Sequence, residues 1–236
     1  MTQKMGRADL HMHTRASDGL ATVQQLLGYV TQHRPHLDVI AITDHDTLEA
    51  SLWAYEHRAN YPFDIVPGLE VSSRAGHVLA LWVTTLIPKN LSLSETVQAI
   101  HEAGGLAILA HPFHLEMDIV RANALRFWHA PHLLREAQVD AIETHNSGGV
   151  LPFTRLAARL WAERVGLPQV GNSDAHTLGA IGSGQTRFPG RSADDLRQAI
   201  LQGSTQPEGS TWPLRDMIDY ALFMREYHQV VQYGQV

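Results

Sequence analysis

The stretch Asp9-Leu10-His11-Met12-His13-Thr14-Arg15-Ala16-Ser17-Asp18-Gly19 ends the first strand-like run of the chain and sets a pattern that recurs along it. Residues two apart on a strand share a face, so His11 and His13 project together while Leu10 and Met12 face the other way. Asp18 follows in a loop of small residues. Later apolar runs end the same way. Residues 39–43 lead into Thr43-Asp44-His45-Asp46, and residues 65–71 carry Gly68-Leu69-Glu70-Val71-Ser72. Residues 77–84 open with His77, and residues 106–110 end in Ala110-His111-Pro112, where proline stops the strand. Residues 141–144 deliver Glu143-Thr144-His145-Asn146, and residues 169–171 deliver Asn172-Ser173-Asp174-Ala175-His176. Asp174 and His176 again share a face.

Between these runs the spacing predicts helices over residues 22–33, 48–59, 94–103, 153–165, 193–202 and 214–233, with an irregular helical insertion over 118–137. Thr22 with Gln25 forms a candidate capping box. Strands alternating with helices indicate βαβ units and a mainly parallel sheet. About seven such units in 236 residues point to a closed or nearly closed barrel, whose functional residues gather at the C-terminal ends of the strands.

The composition narrows the chemistry. With 44% hydrophobic residues the chain has enough apolar material for a sizeable core. It has no cysteine, which excludes disulfides, zinc–thiolate sites, iron–sulfur clusters and a cysteine nucleophile. No apolar run approaches the ~18 residues of a membrane helix, and no secretory signal opens the sequence, so a cytoplasmic protein is expected. Eighteen basic against 24 acidic residues leave a net charge of −6, and only Lys4 and Lys89 are lysines. An extended nucleic-acid surface is therefore not expected, whereas a small phosphorylated substrate is compatible. The excess lies in histidine, with 15 copies. Imidazole and carboxylate ligands suit Zn, Mn, Fe or Co. His11, His13, Asp18, His45, Glu70, His77, His111, Asp174 and His176 are too many for one ion, so two or three divalent ions are expected.

Taken together, Asp-Leu-His-x-His-Thr-x-x-Ser-Asp-Gly, Thr-Asp-His-Asp, Gly-x-Glu-Val-Ser, Ala-His-Pro and Asn-Ser-Asp-Ala-His resemble the motifs of the polymerase-and-histidinol-phosphatase (PHP) family of metal-dependent phosphoesterases. They span residues 9–176. The resemblance implies an α/β fold, a distorted (β/α)7 TIM-like barrel, with a trinuclear metal site. Residues 1–236 then form a single PHP domain, with a helical insertion at 113–138 and a C-terminal helical tail at 212–236. The resemblance also implies one ion on His11, His13, Glu70 and Asp174, and a second on Asp18, His45 and His176. A third falls on Glu70, His77 and His111, with Glu70 bridging. Aspartate at position 18 is similar to the small-molecule phosphoesterase branch of the family.

Three carboxylates against three divalent ions leave a charge of about +3, which favours phosphate esters. The expected reaction is in-line attack of a metal-activated hydroxide on phosphorus. His145 is a candidate proton donor to the leaving group. Asp44 and Asp46 are candidates to orient ligands, and Asp46 equally to cap a helix. Arg15, Arg74, Arg121, Arg187 and Asn146 are candidate substrate contacts. Phe113, Phe127 and Trp128 are candidates to stack on a base. Three alternatives stand beside the small phosphate ester: a nuclease acting on oligonucleotides, an amidohydrolase-type C–N hydrolase, and a regulatory metal module without activity.

Overall fold

Nine strands build one sheet in the computed structural model, which describes residues 4–113, 129–149 and 152–233. They are β1 (Met5–Asp9), β2 (Val39–Ile42), β3 (Asp64–Ser73), β4 (Gly76–Leu81), β5 (Leu106–Leu109), β6 (Ala141–Asn146), β7 (Gln169–Asn172), β8 (Gly184–Pro189) and β9 (Gln206–Gly209). The order across the sheet is β7-β6-β5-β4-β3-β2-β1-β8-β9. The sheet curls until its first and seventh strands meet. Beyond β1 and β7 the chain forms a parallel bridge, Met12 to Ala175, in which His13 N donates to Ala175 O at 2.9 Å and Ala175 N donates to His11 O at 3.2 Å. The result is a nearly closed, distorted TIM-like barrel.

The seven expected strands are present, with one difference in direction. β4 runs antiparallel to both β3 and β5. Its first residues therefore lie at the end where its neighbours finish. His77 faces Ser72 across the β3–β4 ladder, which explains how a residue at the start of a strand reaches the mouth where the others end. β8 and β9 were not expected. β8 pairs antiparallel with β1 and with β9.

Helices α1 (Val23–His33), α2 (Glu49–Glu56), α3 (Leu93–Glu102), α4 (His132–Glu136), α5 (Pro152–Val165), α6 (Ala193–Leu201) and α7 (Leu214–Tyr233) complete the fold. α1 begins with the expected capping box, Thr22 with Gln25, and Ser92 with Glu95 forms another on α3. The helix expected over 48–59 ends at Glu56, followed by a 3₁₀ turn, Arg58–Asn60. Of the insertion at 113–138, residues 114–128 lie outside the described residues, and with them Arg121, Phe127 and Trp128. Among the described residues no helix is long and apolar enough to cross a membrane.

The barrel interior is a buried apolar cluster fed by successive strands, among them Ala8, Val39, Val66, Leu79, Ile108, Ala141, Val170 and Phe188. Leu196 and Ile200 of α6 join it. Two further clusters lie where α3 and α5, and α1 and α2, cover the sheet. Met12 belongs to the α1–α2 cluster, opposite His11 and His13, as strand alternation requires. This apolar frame fixes the strand ends and leaves the polar residues gathered at one mouth.

Candidate metal centre

Glu70 is the middle of the site. It is fully buried in β3, and its two oxygens divide five histidines between them. Oε1 lies 2.9 Å from His77 Nδ1 and 3.0 Å from His111 Nε2. Oε2 lies 3.0 Å from His11 Nε2, 3.2 Å from His13 Nε2 and 3.3 Å from His45 Nδ1. Asp174 Oδ1 stands 3.3 Å from His11 Nε2 and 3.2 Å from His13 Nε2. Asp18 Oδ2 stands 3.2 Å from His176 Nε2 and 3.7 Å from His45 Nε2. All nine residues expected from the strand ends converge on one mouth of the barrel.

Local structure explains the convergence. The Met12–Ala175 bridge sets His11 and His13 beside Asp174 and His176. A second bridge, His45 to Glu70, ties the end of β2 to β3. His111 and Asp174 turn inward through left-handed backbone, with φ of 25° and 52°. Such angles are uncommon outside glycine and persist only where the surroundings enforce them. Gly19 packs against the His13 carbonyl, where a Cβ would collide. Asp44 is buried and accepts from Thr14 N at 2.6 Å, Thr14 Oγ1 at 2.7 Å and Ser17 Oγ at 2.7 Å. It thereby holds the turn that carries Asp18.

These residues suit divalent ions. A tetrahedral ion with bonds of ~2.0–2.1 Å separates its ligands by roughly 3.3 Å. The contacts of His11 and His13 with Glu70 and Asp174 fall at 3.0–3.3 Å. His13 Nε2 and His77 Nδ1 are buried and make no hydrogen bond, although carboxylate oxygens lie 3.2 and 2.9 Å away. Four sets each bring one ligand atom per residue within 4.8 Å of the others: His13, Asp18, His45 and His176; His11, His13 and Glu70; His11, His111 and Glu143; and His45, Glu70 and His77.

The electrostatics point the same way. Burial opposes charge on Glu70, yet His11, His45 and His77 hold its carboxyl well below the usual range. Asp174 is likewise held down against burial by His11 and His13, and Asp18 by His176 and His13. Burial also opposes protonation of His11 and His13. Asp174 and Glu70 outweigh it, raising His11 well above its ordinary value and His13 to about 10. His45, for which burial dominates, falls to about 4. Buried carboxylates at this density require compensating positive charge.

Glu143 was not among the expected site residues. It is buried, and Oε1 accepts from His11 Nδ1 at 3.0 Å and Asn172 Nδ2 at 2.8 Å. Oε2 accepts from His111 N at 3.0 Å and Asn146 Nδ2 at 2.8 Å. An ionised carboxylate only accepts, so Glu143 keeps a proton on His11 Nδ1, and Nε2 is the nitrogen left to give its lone pair to an ion. A β-bulge between Glu143 and His145 breaks the strand alternation. It lets Glu143 and Asn146 both face inward and sends His145 outward.

Of the other expected residues, Asp46 and Asn146 adjoin the cluster and the rest lie away from it. His145 Nε2 lies 3.3 Å from Ser147 Oγ and 3.3 Å from Ser210 O, beside β9 and apart from the ligand cluster. Asp46 accepts from Ser72 N at 2.8 Å while its own N donates to Glu70 O, so it staples β3 in place. Asn146 is buried, and its amide is spent on Glu143, on Asp174 Oδ2 at 3.0 Å and on Gly148 N. Arg15 Nε donates to Leu20 O, Arg74 pairs with Glu95, and Arg187 lies 3.8 Å from Glu208 at the β8–β9 ladder. Phe113 packs edge-on against Trp161 in the core.

Comparison with known proteins accords with this geometry. The family model described as PHP-associated matches residues 154–205. An uncharacterised protein of Methanocaldococcus jannaschii is 32% identical over 117 residues, 45% of this chain and 68% of the relative. The 5′-3′ exoribonuclease Rnm of Salmonella typhimurium is 42% identical over 67 residues, 28% of this chain but 22% of that protein. Among solved structures, a two-domain protein of Bacteroides vulgatus containing a predicted PHP-like metal-dependent phosphoesterase superimposes with a TM-score of 0.71. That match has 19% identity and covers 94% of this chain and 70% of the other. With the PHP-associated segment at residues 154–205 set in a barrel that superimposes on a PHP-like structure over 94% of its length, the chain belongs to the PHP family.

Proposed function

We propose that this phosphoesterase hydrolyses a small phosphate ester, a nucleotide or sugar phosphate, at a centre of two or three divalent ions of Mn, Fe or Zn. The observation that carries the reading is the division of Glu70 between two groups of histidines, which suits a carboxylate bridging two ions. His11, His13, Asp18, His45, Glu70, His77, His111, Asp174 and His176 would hold the ions. When bound, such ions lower the pKa of water toward ~7 and clamp the attacking and leaving oxygens of an in-line displacement. The chain contributes the frame: Glu143 fixes His11, Asp44 fixes the Asp18 turn, and Asn146 steadies Asp174.

A second reading, a nuclease acting on oligonucleotides, is favoured by the likeness to an exoribonuclease. A net charge of −6 with two lysines argues for the compact substrate, since long-range attraction for a polyanion is weak. The test is a competition at near-physiological salt among a nucleoside bisphosphate, a sugar phosphate, a short oligonucleotide and a long single strand. The small esters should show the highest kcat/KM. A higher value for either nucleic acid would make the protein a nuclease.

A further inference from the structure

Asp18 differs from the other carboxylates around the ions. Glu70 is fixed within β3, and Asp174 sits beside the Met12–Ala175 bridge, but Asp18 lies in a turn outside any sheet ladder. Its side chain is 22% exposed. Asp44 holds the turn, and α7 supplies a further contact, to the carboxylate itself, from the far end of the sequence. The Tyr220 hydroxyl donates to Asp18 Oδ2 at 3.3 Å. The Tyr220 ring lies 4.5 Å from the His176 imidazole, centroid to centroid, and 5.6 Å from the Trp212 ring. One side chain thus touches two of the four residues in the His13–Asp18–His45–His176 set.

The helix that carries Tyr220 is pinned beside the site. Trp212 Nε1 donates to Ser173 O at 2.7 Å, and Trp212 N donates to Ser147 O at 3.2 Å. Thr177 Oγ1 donates to Asp216 Oδ1 at 2.6 Å. Asp216 and Tyr220 are four residues apart and so share one face of the helix. That face meets the loop after β7, which carries Asp174 and His176.

We propose that Tyr220 is a positioning residue for the ion held by His13, Asp18, His45 and His176, and that α7 is thereby part of the metal centre. The hydroxyl orients the Asp18 carboxylate and the ring backs the His176 imidazole. Partners of this kind around metal ligands are typically worth 10–100-fold in metal affinity. The proposal rests on the metal-dependent reading above.

The test is a titration of the chelator-stripped protein with Zn²⁺ in competition with a chromophoric chelator. Wild type, Tyr220→Phe and Asp216→Asn are compared, and the unfolding midpoint of each stripped protein is recorded. Asp216→Asn exchanges the charged acceptor of Thr177 for a neutral amide oxygen, weakening that anchor of α7 while leaving the hydroxyl on Asp18, so it supplies the baseline for helix docking. Tyr220→Phe is expected to weaken one equivalent of Zn²⁺ at least tenfold beyond that baseline and leave the others unchanged. The visible spectrum of the Co²⁺-loaded variant should change as well. Superimposable isotherms for wild type and Tyr220→Phe, or an equal loss in Asp216→Asn, would overturn the proposal. Uptake of less than one Zn²⁺ by wild type would instead refute the metal-dependent reading itself.

Discussion

Replacing Glu143 by Gln removes one charge and almost no volume, and the hydrogen bonds around it set the consequence. Four donors meet its two oxygens: His11 Nδ1 and Asn172 Nδ2 on Oε1, His111 N and Asn146 Nδ2 on Oε2. Glutamine keeps one oxygen and replaces the other with a donor. In either amide orientation two buried donors lose their acceptor. Each unsatisfied buried group costs about 1–3 kcal/mol, so Glu143→Gln should destabilise the ion-free protein by roughly 2–6 kcal/mol. That is a large part of the ~5–15 kcal/mol that holds a domain folded. His11 can relieve its share by moving its proton to Nε2, but that tautomer turns a donor toward the ions. Metal affinity should therefore fall ~10–100-fold as well. Urea unfolding of the chelator-stripped protein reads the first effect. With a slope of ~2 kcal/mol per molar urea, the midpoint should drop by about 1–3 M. Zn²⁺ competition reads the second. A Glu143→Gln protein with both midpoint and affinity of wild type would show that Glu143 neither carries these hydrogen bonds nor sets the His11 tautomer.

Glu70→Gln should cut metal content and phosphatase turnover by orders of magnitude, because the carboxylate faces two groups of histidines at 2.9–3.3 Å; elemental analysis with wild-type stoichiometry would contradict the bridging role. Ion binding at pH 8 should release protons, since His13, raised to about 10, is protonated there without an ion. Its raised pKa stabilises the ion-free fold fully below about 6.5, a contribution lost as pH rises through about 10, whereas ion affinity climbs over the same interval. Calorimetry in two buffers of different ionisation enthalpy measures the release, and identical heats would exclude it.

The nine candidate residues were legible because all but His77 stand where an apolar run ends, and the barrel turns that one-dimensional regularity into a single mouth. His77 was legible despite opening its strand, and the reversed direction of β4 accounts for it. Glu143 was not. A period of two puts Glu143 and His145 on one face, and nothing in Glu143-Thr144-His145-Asn146 announces the bulge that separates them. Alternation accordingly points to His145, whereas the bulge brings Glu143 and Asn146 to the site. β8 does show alternating burial over Gly184–Pro189, but glycine and proline at its ends mask the pattern. β9, Gln206–Gly209, has no β-branched or aromatic residue to mark it. Tyr220 is separated from Asp18 by 202 positions, a contact that only the folded chain reveals. Residue type alone marks the arginines as candidates. Arg15, Arg74 and Arg187 meet neighbouring protein groups, which sequence spacing does not disclose.

The seam at Met12 and Ala175 has a consequence for how the protein assembles. His11 and His13 lie on one side of it and Asp174 and His176 on the other, so the ligand set is divided between segments more than 150 positions apart. Contacts of such long range are intrinsically slow to form because the intervening chain must first be ordered. During synthesis the early histidines emerge long before their partners, and the His13–Asp18–His45–His176 set is incomplete until His176 has left the ribosome. The ions would then act as a clasp on the last gap of the barrel, adding stability to the closed form alone.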